Sequence, residues 1–178
     1  TSIATSSAAA ANGIAKFQIT GSLNGACILA ATLSPKMNPI FINATNVTAT
    51  TTGSVYLSNS STGTVNLGPS TGVDFFYQNN GTINVVGVLD FSNDVTLVTT
   101  NNGSINVNAS IIAGGVLTLE AGGIGNITQA LGTLLDTPTL VATSSGGNIG
   151  SLTSPLTTNA STLTVHTSGL GSVWVNDI

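Results

Sequence analysis

The chain has 178 residues, a formal net charge of −4, only 4% charged residues and no arginine. That balance excludes the basic footprint that phosphate neutralisation needs, so neither a nucleic-acid partner nor an anionic membrane surface is expected. At 41% hydrophobic the chain is too apolar for disorder, yet no apolar run reaches the roughly 18 residues of a membrane-spanning helix, so no membrane insertion is expected.

The lone cysteine, Cys27, cannot close an intrachain disulfide. No basic segment followed by an apolar one opens the sequence, so any signal peptide is expected to have been removed. Residues 1–32 stand apart as an atypical cap, linker or subunit-contact segment. Within them Ser6 to Ala11 is a small-residue run, Lys16 to Thr20 is a strand candidate, and Ala26 to Leu33 is open to a short helix or a buried strand.

Residues 33–178 follow a different rule. Apolar anchors alternate with polar residues, the period of a strand with one buried face. They start at Val47, Val55 and Leu57, pass through Val73, Phe75, Ile105, Val107, Leu117, Leu119 and Leu134, and reach Leu163, Val165, Val173 and Val175. Gly, Asn or Pro separates almost every pair, which is turn chemistry. Ala130 to Leu135 is the one later place where a helical turn competes. Such spacing predicts an all-β chain built as a right-handed parallel β-helix, a β-solenoid, of about 20 residues per turn. Asn-Gly pairs at 12–13, 24–25, 80–81 and 102–103 suit corners that need positive φ. Identical charges stacked on neighbouring turns about 4.8 Å apart would repel, which accounts for the scarcity of charge.

A longer repeat overlies the short one. Asn43-Ala44-Thr45-Asn46-Val47-Thr48 followed by Gly53-Ser54-Val55-Tyr56-Leu57 returns as Asn159-Ala160-Ser161-Thr162-Leu163-Thr164 followed by Gly171-Ser172-Val173-Trp174-Val175. At roughly 20 residues per turn that offset is near six whole turns, which predicts both copies on one face.

Gly103-Ser104-Ile105-Asn106-Val107, Ala113-Gly114-Gly115-Val116-Leu117-Thr118-Leu119-Glu120-Ala121-Gly122-Gly123 and Gly125-Asn126-Ile127-Thr128-Gln129 carry a familiar wording. It resembles the repeats of filamentous-haemagglutinin-like surface proteins, bacterial adhesins exported by two-partner secretion. The resemblance covers residues 40–178 and leaves residues 1–32 outside. It implies a right-handed parallel β-helix, an extracellular or cell-surface location and a role in adhesion or matrix. No catalytic residue comes with it.

The residues themselves offer little chemistry. His166 is the only histidine and alternation places it outward. Asp90, Asn93 and Asp94 are a weak Ca²⁺ loop, and residues 122–127 superficially match a Ca²⁺-binding nonapeptide that needs Asp where Ile127 stands. Asp74, Glu120, Asp136 and Asp177 are scattered rather than paired as glycoside hydrolysis requires. No enzyme activity, metal or cofactor is therefore expected.

Surface contact is the better expectation. Tyr56 and Trp174 hold equivalent repeat positions, and Phe76 with Tyr77 forms a lateral contact candidate, for covering neighbours or for stacking on sugars. Asn-x-Ser/Thr sequons begin at Asn43, Asn46, Asn59, Asn80, Asn102, Asn108, Asn126 and Asn159. Val173, Val175 and Ile178 form a candidate assembly edge, because an uncapped strand templates pairing with another chain. The expected partners are therefore neighbouring repeats of the same polypeptide, end-to-end copies, or cell-surface glycans. Three readings follow: a repeat segment of a large adhesin or matrix protein, a subunit that polymerises head to tail, and a Thr-rich face for ice or polysaccharide built on Thr48, Thr50, Thr52, Thr162 and Thr164.

Overall fold

A computed structural model describes residues 39–178 together with the backbone of one strand at 27–29. The strand candidate at Lys16 to Thr20, the small-residue run at 6–11 and the Asn-Gly pairs at 12–13 and 24–25 lie outside the described residues. In chain order the strands are β1 (Cys27–Leu29), β2 (Ile40–Ile42), β3 (Asn46–Ala49), β4 (Val55–Asn59), β5 (Val65–Leu67), β6 (Ser70–Gly72), β7 (Phe75–Asn79), β8 (Ile83–Val85), β9 (Leu89–Phe91) and β10 (Val95–Thr99). They continue as β11 (Ile105–Val107), β12 (Ile111–Ala113), β13 (Val116–Ala121), β14 (Ile127–Gln129), β15 (Leu135–Asp136), β16 (Thr139–Ser144), β17 (Leu156–Thr158), β18 (Thr162–Thr167) and β19 (Val175–Asp177). No helix occurs among the described residues, and the Ala130 to Leu135 stretch resolves into a turn and β15.

The strands form three parallel sheets. Sheet I is β2-β4-β7-β10-β13-β16-β18, sheet II is β1-β3-β5-β8-β11-β14, and sheet III is β6-β9-β12-β15-β17-β19. The chain visits I, II and III in rotation, so strands inside each sheet pair with their counterparts one turn below and above, and the end strands on one side only. This is a β-solenoid of about six turns with about 22 residues per turn. β1 falls inside the segment set apart at 1–32 and already pairs in parallel with β3.

Alternation decides what the solenoid encloses. Val55, Phe75, Val95, Leu117 and Leu140 stack in register on the inner face of sheet I and are buried. Val65, Ile83, Ile105 and Ile127 do the same on sheet II, and Leu89, Ile111 and Leu135 on sheet III. Each fully buried Val, Leu or Ile contributes about 1.5–3 kcal/mol, and only stacking makes that burial complete. Phe75 stacks between Tyr77 and Phe91, with ring centroids 6.1 and 4.8 Å away. Two anchors read from the sequence are displaced: Leu135, not Leu134, is buried, and Val73 is half-buried in the corner before β7. The Leu134 N–H donates to the Ser110 hydroxyl at 3.0 Å, and Leu135 pairs in register with Ile111.

Turn length is not constant, and this overturns the expected six-turn repeat. The step grows from 20 residues between Val55 and Phe75 to 23 between Leu140 and Leu163. Leu163 therefore lies on sheet I while its repeat equivalent, Val47, lies on sheet II. Val173 bridges to Ile149 on the sheet II ladder while its equivalent, Val55, lies on sheet I. The two copies occupy different faces.

The glycines at the corner leading into sheet II also act differently from expectation. Gly81 and Gly103 are not at positive φ; among the described residues Asn101, Gly123, Gly132 and Gly150 are. A Cβ on Gly81 would meet the Gly63 carbonyl oxygen at 2.3 Å, one on Gly103 the Gly81 oxygen at 2.4 Å, and one on Gly125 the Gly103 oxygen at 1.9 Å. Gly147 and Gly171 continue the column at 2.1 and 2.0 Å from the glycine carbonyl below. These residues are glycine because backbones of successive turns pass too closely there for any side chain.

Candidate functional surfaces

Sheet II carries an asparagine ladder on its outer face. Asn66 Nδ2 donates to Asn46 Oδ1 at 3.1 Å, Asn84 Nδ2 to Asn66 Oδ1 at 3.3 Å, and Asn106 Nδ2 to Asn84 Oδ1 at 2.8 Å. Thr128 continues the column with a 2.9 Å bond from its hydroxyl to Asn106 Oδ1. All the donors point one way along the axis. A second ladder runs beside it at the corner. The Thr82 and Ser104 hydroxyls and the Asn126 and Asn148 carboxamides accept from the backbone N–H of Ser104, Asn126, Asn148 and Ser172 in the turn above, at 2.7–3.3 Å. Net hydrogen bonds of this kind contribute about 0.5–1.5 kcal/mol each and hold the turns in register. The recurring Gly-x-Ile/Val-Asn at 63–66, 81–84 and 103–106 was the signal for both columns.

The outer face of sheet I is more varied. One column reads Tyr56, Phe76, Thr96, Thr118, Val141 and Thr164, and the next Ser58, Gln78, Val98, Glu120, Thr143 and His166. Phe41 stands in register with Ser58 at the N-terminal end and is 74% exposed. Sequence reasoning passed over Phe41. The proposed contact pair Phe76 and Tyr77 divides: Phe76 is outward and half-buried, whereas Tyr77 is inward and fully buried, with Asn59 Nδ2 donating to its hydroxyl at 2.8 Å. Tyr77 is thus no surface contact, because one residue of phase in a strand moves a side chain to the opposite face. Tyr56 and Trp174 are not equivalent either. Tyr56 lies on sheet I, while Trp174 is half-buried between the Val173 bridge and β19, its backbone N–H donating to the Ile149 carbonyl at 2.9 Å.

The polar residues weighed for catalysis or metal binding serve the stack. The Asp74 carboxylate accepts the Ser54 hydroxyl at 2.6 Å, the Asn93 amide at 2.6 Å and the Asp94 N–H at 3.3 Å. Asp94 Oδ1 accepts the Val116 N–H at 2.8 Å, so Asn93 and Asp94 tie three successive turns together. Asp90 and Glu120 are exposed on separate sheets, and Asp136 accepts the Asn159 amide at 2.7 Å. His166 is outward, 3.3 Å from the Ser168 hydroxyl. Of the sequons, Asn59 is buried, and Asn46 and Asn159 commit their amide nitrogens to Thr45 and Asp136.

Two groups, Asp74 and Tyr77, are shifted from their ordinary titration. Burial pushes Asp74 up, but the bonds from Ser54, Asn93, the Asp94 N–H and the Tyr56 hydroxyl outweigh it and hold the carboxyl below its ordinary value of 3.8. Its contribution is present above that value and is lost as pH falls below it. Burial raises Tyr77 far above its ordinary value of 10.0, with the Asn59 bond opposing in part, so its contribution is lost as pH rises beyond that value. The melting temperature is expected to stay level from about pH 5 to 9 and to decline outside on both sides. A shift of tens of degrees inside that window would refute this.

The last described layer of the stack is formed by β18, Val173 and β19, which have strand partners on one side only. Leu163 and Val173, each inward-facing by register, are 41% exposed, and Val165 and Val175 are half-buried. Ile178 is 74% exposed, with its N–H donating to the Thr158 carbonyl at 2.9 Å. The three residues named as an assembly edge thus lie together on the last described layer. Compared with family models, curated proteins and solved structures, the chain matches none. What its own residues establish is a β-solenoid consistent with β-helix repeat proteins.

Proposed function

We propose that the chain is a non-enzymatic structural or adhesive β-solenoid working outside the cell, a repeat segment of a large surface adhesin or matrix protein of the filamentous-haemagglutinin-like kind. The unbroken stack carries this reading. Hydrogen-bonded ladders join every turn to the next, the faces bear hydroxyls and amides in place of charge, and such a rod suits spacing and display. The repeat wording of residues 93–128 supports the family assignment.

A second reading is a subunit that polymerises head to tail, for which parallel ladders that repeat from turn to turn supply the same pairing between copies. A contact of one end on the other does not close and yields filaments. The Thr-rich ice or polysaccharide face has less support: Thr48 lies on sheet II, Thr162 and Thr164 on sheet I, and no sheet presents two adjacent threonine columns among the described residues.

Brief protease treatment of intact source cells, with the native mass measured in parallel, tests both leading readings. Peptides from residues 40–178 are expected in the released fraction while a cytoplasmic marker stays inside, and the native polypeptide is expected to exceed the 178-residue chain. A native mass equal to this chain, found in ordered filaments, supports the second reading instead. Peptides retained with the cytoplasmic marker overturn both.

A further inference from the structure

We propose that the N-terminal end of the sheet I outer face binds a neutral polysaccharide, through Phe41, Tyr56 and Phe76 with Ser58 and Gln78 beside them. This deepens the adhesive reading and rests on it. Register places the five side chains together: Tyr56 pairs with Phe76, Ser58 with Gln78, and Phe41 with Ser58, on three adjacent strands. Directly opposed side chains on one face are about 5 Å apart and diagonal ones about 7–8 Å, so the rings border the polar pair as one surface.

Each member suits a sugar. Leaving Phe41 74% exposed forgoes burial worth a large part of its side chain, and beside two further aromatics it forms a cluster rather than an isolated surface residue. Tyr56 is half-buried and in register with Phe76, so the neighbouring strand holds its ring on the outer face. A ring fixed in advance loses little entropy on binding. Among the described residues Ser58 and Gln78 make no side-chain hydrogen bond, which leaves a hydroxyl and an amide facing outward beside the rings. A pyranose offers the matching pair of surfaces: an apolar face of C–H groups for the rings and an equatorial rim of hydroxyls for the amide.

Charge selects a neutral partner. No lysine or arginine lies among the described residues, so nothing described beside the platform offers an anionic glycan a counter-charge. A second copy of this chain fits less well, since a specific protein interface buries about 800 Å² per partner and three rings bordered by polar groups supply far less. The column continues into Thr96 and Thr118. Strand spacing of about 4.8 Å is comparable to the length of one sugar in an extended chain, so a polysaccharide lying along the axis meets a side chain at each turn.

Co-sedimentation with microcrystalline cellulose and with chitin tests the proposal. The full chain is expected to pellet saturably with at least one of them. Phe41→Ala is expected to weaken binding about tenfold, and Phe41→Ala with Phe76→Ala more, with melting temperature unchanged for the single variant. Leu152→Ser, at an exposed site away from sheet I, is expected to bind like the parent. Failure of the parent chain to pellet with either polymer, or equal pelleting of parent and Phe41→Ala, overturns the platform. The protease experiment above is independent, so a chain found at the cell surface that ignores both polymers rejects the platform and leaves the adhesive reading standing.

Discussion

Gly125→Ala is expected to destabilise the solenoid by about 3 kcal/mol or more, the upper end of what overpacking costs, or to prevent folding. The added Cβ would lie 1.9 Å from the Gly103 carbonyl oxygen, 2.6 Å from its carbonyl carbon and 2.9 Å from the Gly122 oxygen. All three are backbone atoms, so no side chain can rotate away. Relief requires the turns to separate, and separation breaks the parallel bonds of β11 with β14 together with the ladder bond from the Asn126 N–H to Ser104. Gly63 supplies the control. It begins the same column, and a Cβ there meets only the Ser61 hydroxyl, at 3.7 Å. Gly63→Ala is expected within about 0.5 kcal/mol of the parent, as for ordinary surface changes. Urea midpoints of the two variants make the comparison, and similar losses from both would mean that close approach is not what keeps the column glycine.

Ile105→Asp is expected to cost more than about 4 kcal/mol, because it places an unpaired charge in a dry interior. Ile105 is fully buried and lies in register between Ile83 and Ile127. Alternation alone suggests that Asn106→Asp, one residue on, is mild. The asparagine ladder modifies that expectation. Asn106 donates to Asn84 Oδ1 at 2.8 Å, and a carboxylate there would set acceptor against acceptor while keeping the bond from Thr128. A loss of about 1–3 kcal/mol is expected, the cost of one unsatisfied partner. It should shrink as the solution is acidified and the carboxyl regains a proton to donate. Chemical denaturation at neutral and acid pH separates the two substitutions; equal losses at both positions would mean that the inward and outward assignment is wrong.

Much of this architecture was legible in the residues because a solenoid is governed by local, repeated rules. Alternation in Val95-Thr96-Leu97 or Ile105-Asn106-Val107 states which side chain faces in, and Asn, Gly and Pro mark where each strand stops. The scarcity of charge follows from stacking itself. For the same reason His166 was correctly placed outward. What the linear pattern does not contain is phase over a long distance. Each corner adds or omits residues, so small differences between turns of 20 and 23 residues carried the two copies of the long repeat onto different sheets and separated Trp174 from Tyr56. Tyr77, by contrast, was readable locally: with Phe75 inward, alternation sends Phe76 out and Tyr77 in, so only Phe76 keeps the surface role offered to both.

The sequence by itself determined the class of fold, the inner and outer positions within single strands, and the absence of basic footprints. Only the tertiary structure decided which residues from different turns meet. The asparagine ladder joins residues 18 to 22 positions apart, the glycine column is explained by carbonyls of the turn below, and Phe41 joins Tyr56 and Phe76 because β2, β4 and β7 are adjacent in sheet I. The physical reason is that burial and alternation act within a strand, whereas register between strands is set by how many residues each corner uses, and that number is settled only when all three sheets pack around one core.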